Sequence, residues 1–323
     1  MKKIFAIFFM TMMFAKSAFA ANVVVSDLID QEVQNYVDAI FDASGSDIFL
    51  FVTAILTFLF FMCLVGEIVK FINGNADWIA ILTLVILYIS TTALIASYGP
   101  FTHVIKGVFE DLCGEFQYLI IGSRDKMFLS DFIDKVIKKA VQAPDVGFTD
   151  SIFMWGVTLV WGVVSLLLQV AFYLADTYVT LGYALARVVG VLFVPFLIAP
   201  WTRPIFDGWV KFFVGFGICG ILLRLTCILA MLVMKATINA AGKLENPASA
   251  LINSNYDVKA PLVVADNNIS LLLAIIAFGV ISCVMVFSSF GFAKTLASGV
   301  GSASNAATNM AKSAAVKAMA ALI

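Results

Sequence analysis

Apolar runs of roughly twenty residues leave a chain few alternatives to crossing a lipid bilayer, because a helix of that length matches the hydrocarbon thickness and satisfies its own backbone. Six such runs recur here, at 48–65, 78–98, 151–175, from 179 onward, from 209 to about 234, and at 269–290. Of the 323 residues 62% are hydrophobic and 13% charged, and a water-soluble domain of that make-up would not stay dispersed. The expected fold is an all-α polytopic membrane protein with five to six transmembrane helices. The formal net charge of -1 gives no basic field over the whole chain that would argue for bulk nucleic-acid binding.

The stretch 179–211 reads as a membrane hairpin. Its apolar part carries Arg187 inside and Pro195 near its far end, and Pro200-Trp201-Thr202-Arg203-Pro204 forms a compact turn before the next run. Gly182, Ala186 and Gly190 recur every four residues, so one helix face is nearly flat and a neighbouring backbone can approach closely. Such a face serves either an ordinary contact within one subunit or a subunit contact in an oligomeric channel. Arg224 lies about fifteen residues into the following run, where a guanidinium costs a few kcal/mol unless it is paired, hydrated or snorkelled. Glu67, Asp176, Gln169, backbone carbonyls and a lipid phosphate are the candidate partners. For both arginines the readings are structural pairing or a pore-lining or subunit-contact role.

Residues 1–20 have the form of a bacterial secretory signal: Lys2-Lys3, an apolar run, then Ala18-Phe19-Ala20. Cleavage there would start the mature chain at Ala21, and an uncleaved anchor would leave that residue on the same outer side. Segment 21–47 holds six acidic residues and no Lys or Arg, and helical spacing of Ile29, Val33, Val37 and Ile40 makes it a short periplasmic helix. Residues 48–98 form a two-span hairpin. Within 99–150 two amphipathic periplasmic helices are expected. One runs from Phe101 to Gly122 with an apolar face through Val104, Val108, Leu112 and Leu119. The other spans 131–141, with Phe132, Ile133, Val136, Ile137 and Ala140 opposite a basic cluster at Lys135, Lys138 and Lys139. That cluster is a possible substrate, partner or anionic-lipid surface. The polytopic core occupies 151–290, and the Ala/Ser/Gly-rich segment 291–323 reads as a flexible or binding-induced helical tail. Six crossings from an outer N-terminus would put the basic tail outside, against the positive-inside rule. A re-entrant fourth segment would bring it inside.

Catalytic and cofactor signatures are absent. His103 is the single histidine, which excludes a His-based triad or an HExxH zinc site, and no P-loop sequence occurs. Gly215, Gly217 and Gly220 fit GxGxxG, yet they lie midway along an apolar run rather than after a strand, so they are expected to serve helix packing. Four of the five cysteines lie in apolar runs, with no CxxC pair. No cofactor and no enzymatic activity are expected.

The order of these features resembles the TrbL family of inner-membrane subunits of type IV secretion and conjugation machines, which includes the sixth VirB component. Trp155-Gly156, Trp161-Gly162, Leu181-Gly182 through Gly190 to Pro195, Thr202-Arg203-Pro204-Ile205-Phe206-Asp207-Gly208-Trp209 and the small-residue tail carry the resemblance over most of 45–323. It implies a non-enzymatic, homo-oligomeric component of an envelope-spanning channel in the bacterial inner membrane. Such a component moves protein or single-stranded DNA–protein cargo with other secretion subunits and energy from separate cytoplasmic ATPases. The alternative is a small-solute secondary transporter or channel using the broken fourth segment, against which the spans hold no core acids for ion coupling.

Overall fold

The apolar runs close their backbone hydrogen bonds as helices, and polar capping residues set their ends. The computed structural model describes residues 22–42, 47–75, 77–124, 128, 132–144, 152–241, 258–298 and 302–320. The signal peptide expected at 1–20 lies outside them. Among the described residues, eight α-helices of more than one turn follow in chain order: α1 (Asn22–Asp42), α2 (Asp47–Ile72), α3 (Trp78–Ala96), α4 (Tyr98–Ile121), α5 (Ile152–Gly190), α6 (Arg203–Ala240), α7 (Ile269–Ser298) and α8 (Ala303–Ala320). By length and composition five segments of the described residues suffice to cross a membrane: α2, α3, α5, α6 and Asp266–Ala293. The protein is an all-α polytopic membrane protein.

Local chemistry explains several boundaries. Asp77 caps α3 by accepting hydrogen bonds from the amides of Ile79 (3.0 Å) and Ala80 (3.1 Å). Ser97 separates α3 from α4, and Gly122, at φ +77°, supplies the left-handed residue that stops α4. Thr53, Thr57, Thr91 and Thr92 bond their hydroxyls to carbonyls four residues back, which lets these polar groups sit within apolar helices.

Three expectations need correction. The third and fourth apolar runs are one 39-residue helix, α5, because neither Gly nor Pro occurs between Gly162 and Gly182 and Asp176 alone does not interrupt the helix. Within the helix expected at 131–141, Ile133–Ile137 is a π-helical turn and Lys138–Ala140 a single α-turn. Val141–Gln142 (β1) is extended and pairs in parallel with Leu262–Val263 (β2), Val141 opposite Leu262. The tail, expected to be a flexible or binding-induced helix, is helical within the chain itself as α8, which packs along α3 through a stripe of small residues, Ser304, Thr308, Ala311 and Ala315, all buried. The amphipathic helix expected from Phe101 is α4, which turns the apolar stripe Phe101, Val104, Val108, Leu112 and Leu119 outward and buries Tyr98, Thr102, Gln117 and Ile121.

Contacts divide the chain into two units. The first gathers the chain up to Glu32, Glu110–Thr180 and Cys219–Phe292. Its core includes Trp161, Leu168, Leu223, Ile228, Met231 and Leu272, Tyr178 meets Phe290 edge-on at 5.1 Å, and Gly279 abuts Val164. The second comprises Val33–Phe109, Leu181–Ile218 and Ala293–Ile323. In it α2 and α3 form an antiparallel pair, and a 3-10 turn at Val194–Leu197 packs on both.

Candidate functional site: the small face and the buried arginines

The end of α5 in the second unit gathers the residues that the sequence singles out. Gly182, Ala186 and Gly190 do lie on one face, but aromatic side chains of the same chain fill the space beside it. A Cβ at Gly182 would collide with the Phe216 ring, and one at Gly190 with the Tyr98 phenol and the Trp209 indole. Ala186 is fully buried, and its carbonyl accepts a hydrogen bond from Trp209 Nε1 at 2.9 Å. Around these residues Trp209 stacks on Phe213 at 5.8 Å and lies 5.9 Å from Tyr98, while Tyr183 meets Phe213 edge-on at 5.1 Å. The small residues thus make room for rings, so the face is consumed within the subunit.

Arg187 projects from this end of α5 and is 2% exposed. Its Nε donates to Thr102 Oγ1 at 3.2 Å and its Nη1 to Gln34 Oε1 at 3.3 Å. Asp38 Oδ1 stands 3.8 Å from Nη2, and the guanidinium lies 5.5 Å above the Phe41 ring. The Tyr98 hydroxyl donates to the Arg187 carbonyl at 2.9 Å, and Thr102 donates to the Tyr98 carbonyl at 2.9 Å. Three helices, α1, α4 and α5, are fastened through one side chain.

The turn after α5 is tied by its own polar residues. Arg203 donates to the carbonyls of Leu197 (3.2 Å) and Ile198 (3.5 Å), and Thr202 to those of Phe196 (2.9 Å) and Ala199 (3.0 Å). One turn further on, Asp207 accepts hydrogen bonds from the Ser302 hydroxyl, the Ser304 amide and the Ser304 hydroxyl, each at 2.7 Å. Ser302 in turn accepts from the Asn305 amide, so this cluster caps α8.

Arg224 belongs to the first unit. Its Nε donates to Gln117 Oε1 at 2.6 Å, and Gln117 is fully buried. None of the partners expected from sequence was Gln117. Of the basic cluster, Lys138 and Lys139 are exposed at the end of the π-turn, and the apolar residues Phe132, Ile133, Val136, Ile137 and Ala140 are buried beneath it. The side chain of Lys135 lies outside the described residues. Gly217 abuts the Phe109 ring and Gly220 the Val179 side chain, so these glycines of the nucleotide-like motif face packing contacts.

Sequence reasoning missed Gln34, Asp38, Tyr98, Thr102, Gln117 and Asp207 as fastening residues. A signal for part of the set exists: Tyr98, Thr102, Ile105, Phe109, Cys113, Gln117 and Ile121 follow helical spacing, a stripe adjacent to the apolar one and equally continuous. Asp207 offered no local signal, because its partners lie nearly a hundred residues away.

A family model described as TrbL/VirB6 plasmid conjugal transfer protein matches residues 52–255, more than half of the chain. No curated protein matches it.

Proposed function

The chain belongs to the TrbL/VirB6 plasmid conjugal transfer family, and on that premise we propose that it is an inner-membrane channel and scaffold subunit through which a type IV secretion machine moves protein or nucleoprotein cargo. Membership makes it a component of a conjugal-transfer or type IV secretion complex, in a family of structural components rather than a known enzyme family. It is a multi-pass membrane protein. The family match is the observation that carries the reading.

The inner-membrane topology we propose places α1 and residues 99–150 on the periplasmic side. Support comes from Arg187, whose partners Gln34 and Asp38 precede α2 while Thr102 follows α3, as a two-span hairpin requires. Gly182 faces Phe216 and Gly190 faces Trp209, so α5 and α6 run antiparallel. Because the end of α5 meets α1 and Thr102 on the same periplasmic side from which α5 starts, the antiparallel pair contributes no crossing, and α7 then contributes one. The end of the chain thus falls on the cytoplasmic side, where Lys294, Lys312 and Lys317 obey the positive-inside rule.

Within this reading the exposed turn at Lys138 and Lys139, with Lys135 in the same cluster, and the outward apolar stripe of α4 are the working surface toward cargo or a neighbouring subunit. Affinity purification of the tagged full chain from secreting cells should recover other secretion subunits, including the separate ATPases. Photo-crosslinkers at Lys135 and Lys138 should capture cargo or a subunit. Recovery of the protein alone, with crosslinks only to lipid, would refute the channel role.

A further inference from the structure

The second unit holds a cavity of about 590 Å³ where the outer ends of α2 and α3 meet α1, α4 and the end of α5. A volume of this size is in the range of small-molecule sites. Leu50 and Leu56 of α2 and Ile95 of α3 wall it along its length. The cavity therefore runs from the ends of two membrane spans into the depth of their apolar turns. At its head sit Arg187, which is almost wholly buried, and Asp38, whose side chain is 55% exposed.

The charge pattern in this head is specific. Two of the five guanidinium N–H groups of Arg187 make hydrogen bonds among the described residues, to Thr102 and Gln34. The Asp38 carboxylate, at 3.8 Å, is beyond hydrogen-bond distance. Asp38 and the Phe41 ring offset the buried charge, yet the guanidinium keeps N–H groups without an acceptor among the described residues, and such donors suit the paired oxygens of a phosphate. Asp38 places a negative charge at the more exposed edge, next to the positive charge inside. The head thus presents a dipole, positive inward and negative outward, above an apolar slot.

We propose that this cavity binds a phospholipid with a primary-amine head group, of the phosphatidylethanolamine type. Its phosphate meets Arg187, its ammonium meets Asp38, and an acyl chain lies along Leu50, Leu56 and Ile95. A phosphatidylglycerol-type lipid carries the same phosphate charge but has no ammonium to set against Asp38. One whose amine is fully methylated has no N–H to donate to that carboxylate.

The test is native mass spectrometry of the full chain in detergent, with phosphatidylethanolamine, phosphatidylglycerol or phosphatidylcholine added at equal concentration. The unaltered protein should retain phosphatidylethanolamine about tenfold more strongly than either other lipid, as one charge-assisted contact provides. Asp38→Asn should abolish that preference while still binding lipid. Arg187→Gln should weaken retention of all three. Because Arg187 also fastens helices, Thr53→Trp serves beside it: Thr53 is exposed and lines the slot, so the indole should block the chain-binding wall while thermal unfolding stays unchanged. Equal retention of the three lipids, undiminished retention by a folded Thr53→Trp protein, or equal stabilisation by inorganic phosphate alone would overturn the proposal.

Discussion

A single methyl group at Gly190 has nowhere to go, since the Tyr98 phenol and the Trp209 indole already occupy its place. Gly190→Leu should therefore lower stability by about 1–3 kcal/mol or more through overpacking, read as a fall in the thermal unfolding temperature of the purified protein. Gly156→Ala is the matching control: nothing lies within 4 Å of a Cβ there, and helix propensity favours alanine by about 1 kcal/mol. Equal unfolding of Gly190→Leu and unaltered protein would show that the rings do not sit against this face. Gln117→Leu removes the acceptor of Arg224 and should cost about 1–3 kcal/mol in the same measurement, the penalty of a guanidinium left short of a partner. At this scale the sequence made half of each contact legible. Four-residue spacing marked Gly182, Ala186 and Gly190, and apolar surroundings marked Arg187 and Arg224 as needing partners. What fills the space or accepts the proton comes from Trp209, Phe216, Tyr98, Thr102 and Gln117, on other helices or across a turn, and single-chain periodicity contains no pairing information.

At the scale of elements, α8 depends on one carboxylate for its start. Asp207→Ala removes the acceptor for three hydrogen bonds and should loosen α8 by about 1–3 kcal/mol. Faster amide exchange across Ala303–Ala320 with unchanged exchange in α3 would be the signature, and unchanged exchange in both would remove Asp207 from this role. The helices α2, α3 and α7 were legible because their apolar runs end in recognisable polar residues. The boundary between the third and fourth runs was misread because a lone acidic residue looks like a loop in hydropathy, although nothing in it breaks a helix. For α8 the difficulty was the opposite. An alanine-rich stretch has high helix propensity but too little apolar surface to announce a partner, and its burial rests on small residues fitting closely against α3.

For the molecule as a whole, single cysteines placed in a cysteine-free background should report the proposed sidedness. Positions 38 and 138 should react with an impermeant thiol reagent in intact cells, and a position near Lys317 only after rupture. Labelling of 38 or 138 that requires rupture would invert the arrangement. Class, family and approximate span number were legible from hydropathy and from Trp, Gly and Pro at span ends. Sidedness was obscured because merging two runs into α5 changes the parity that the count of crossings implies. The lengths of the helices carry one more consequence. The 19 residues of α3 extend about 28 Å, close to the hydrocarbon thickness, whereas the 39 of α5 extend about 58 Å. A thinner bilayer would strand the ends of α3 in head groups yet leave α5 with ample length to spare. Bilayer thickness is therefore gauged by the shortest helix, which acts as a caliper, while the long rods can tilt or slide at little cost.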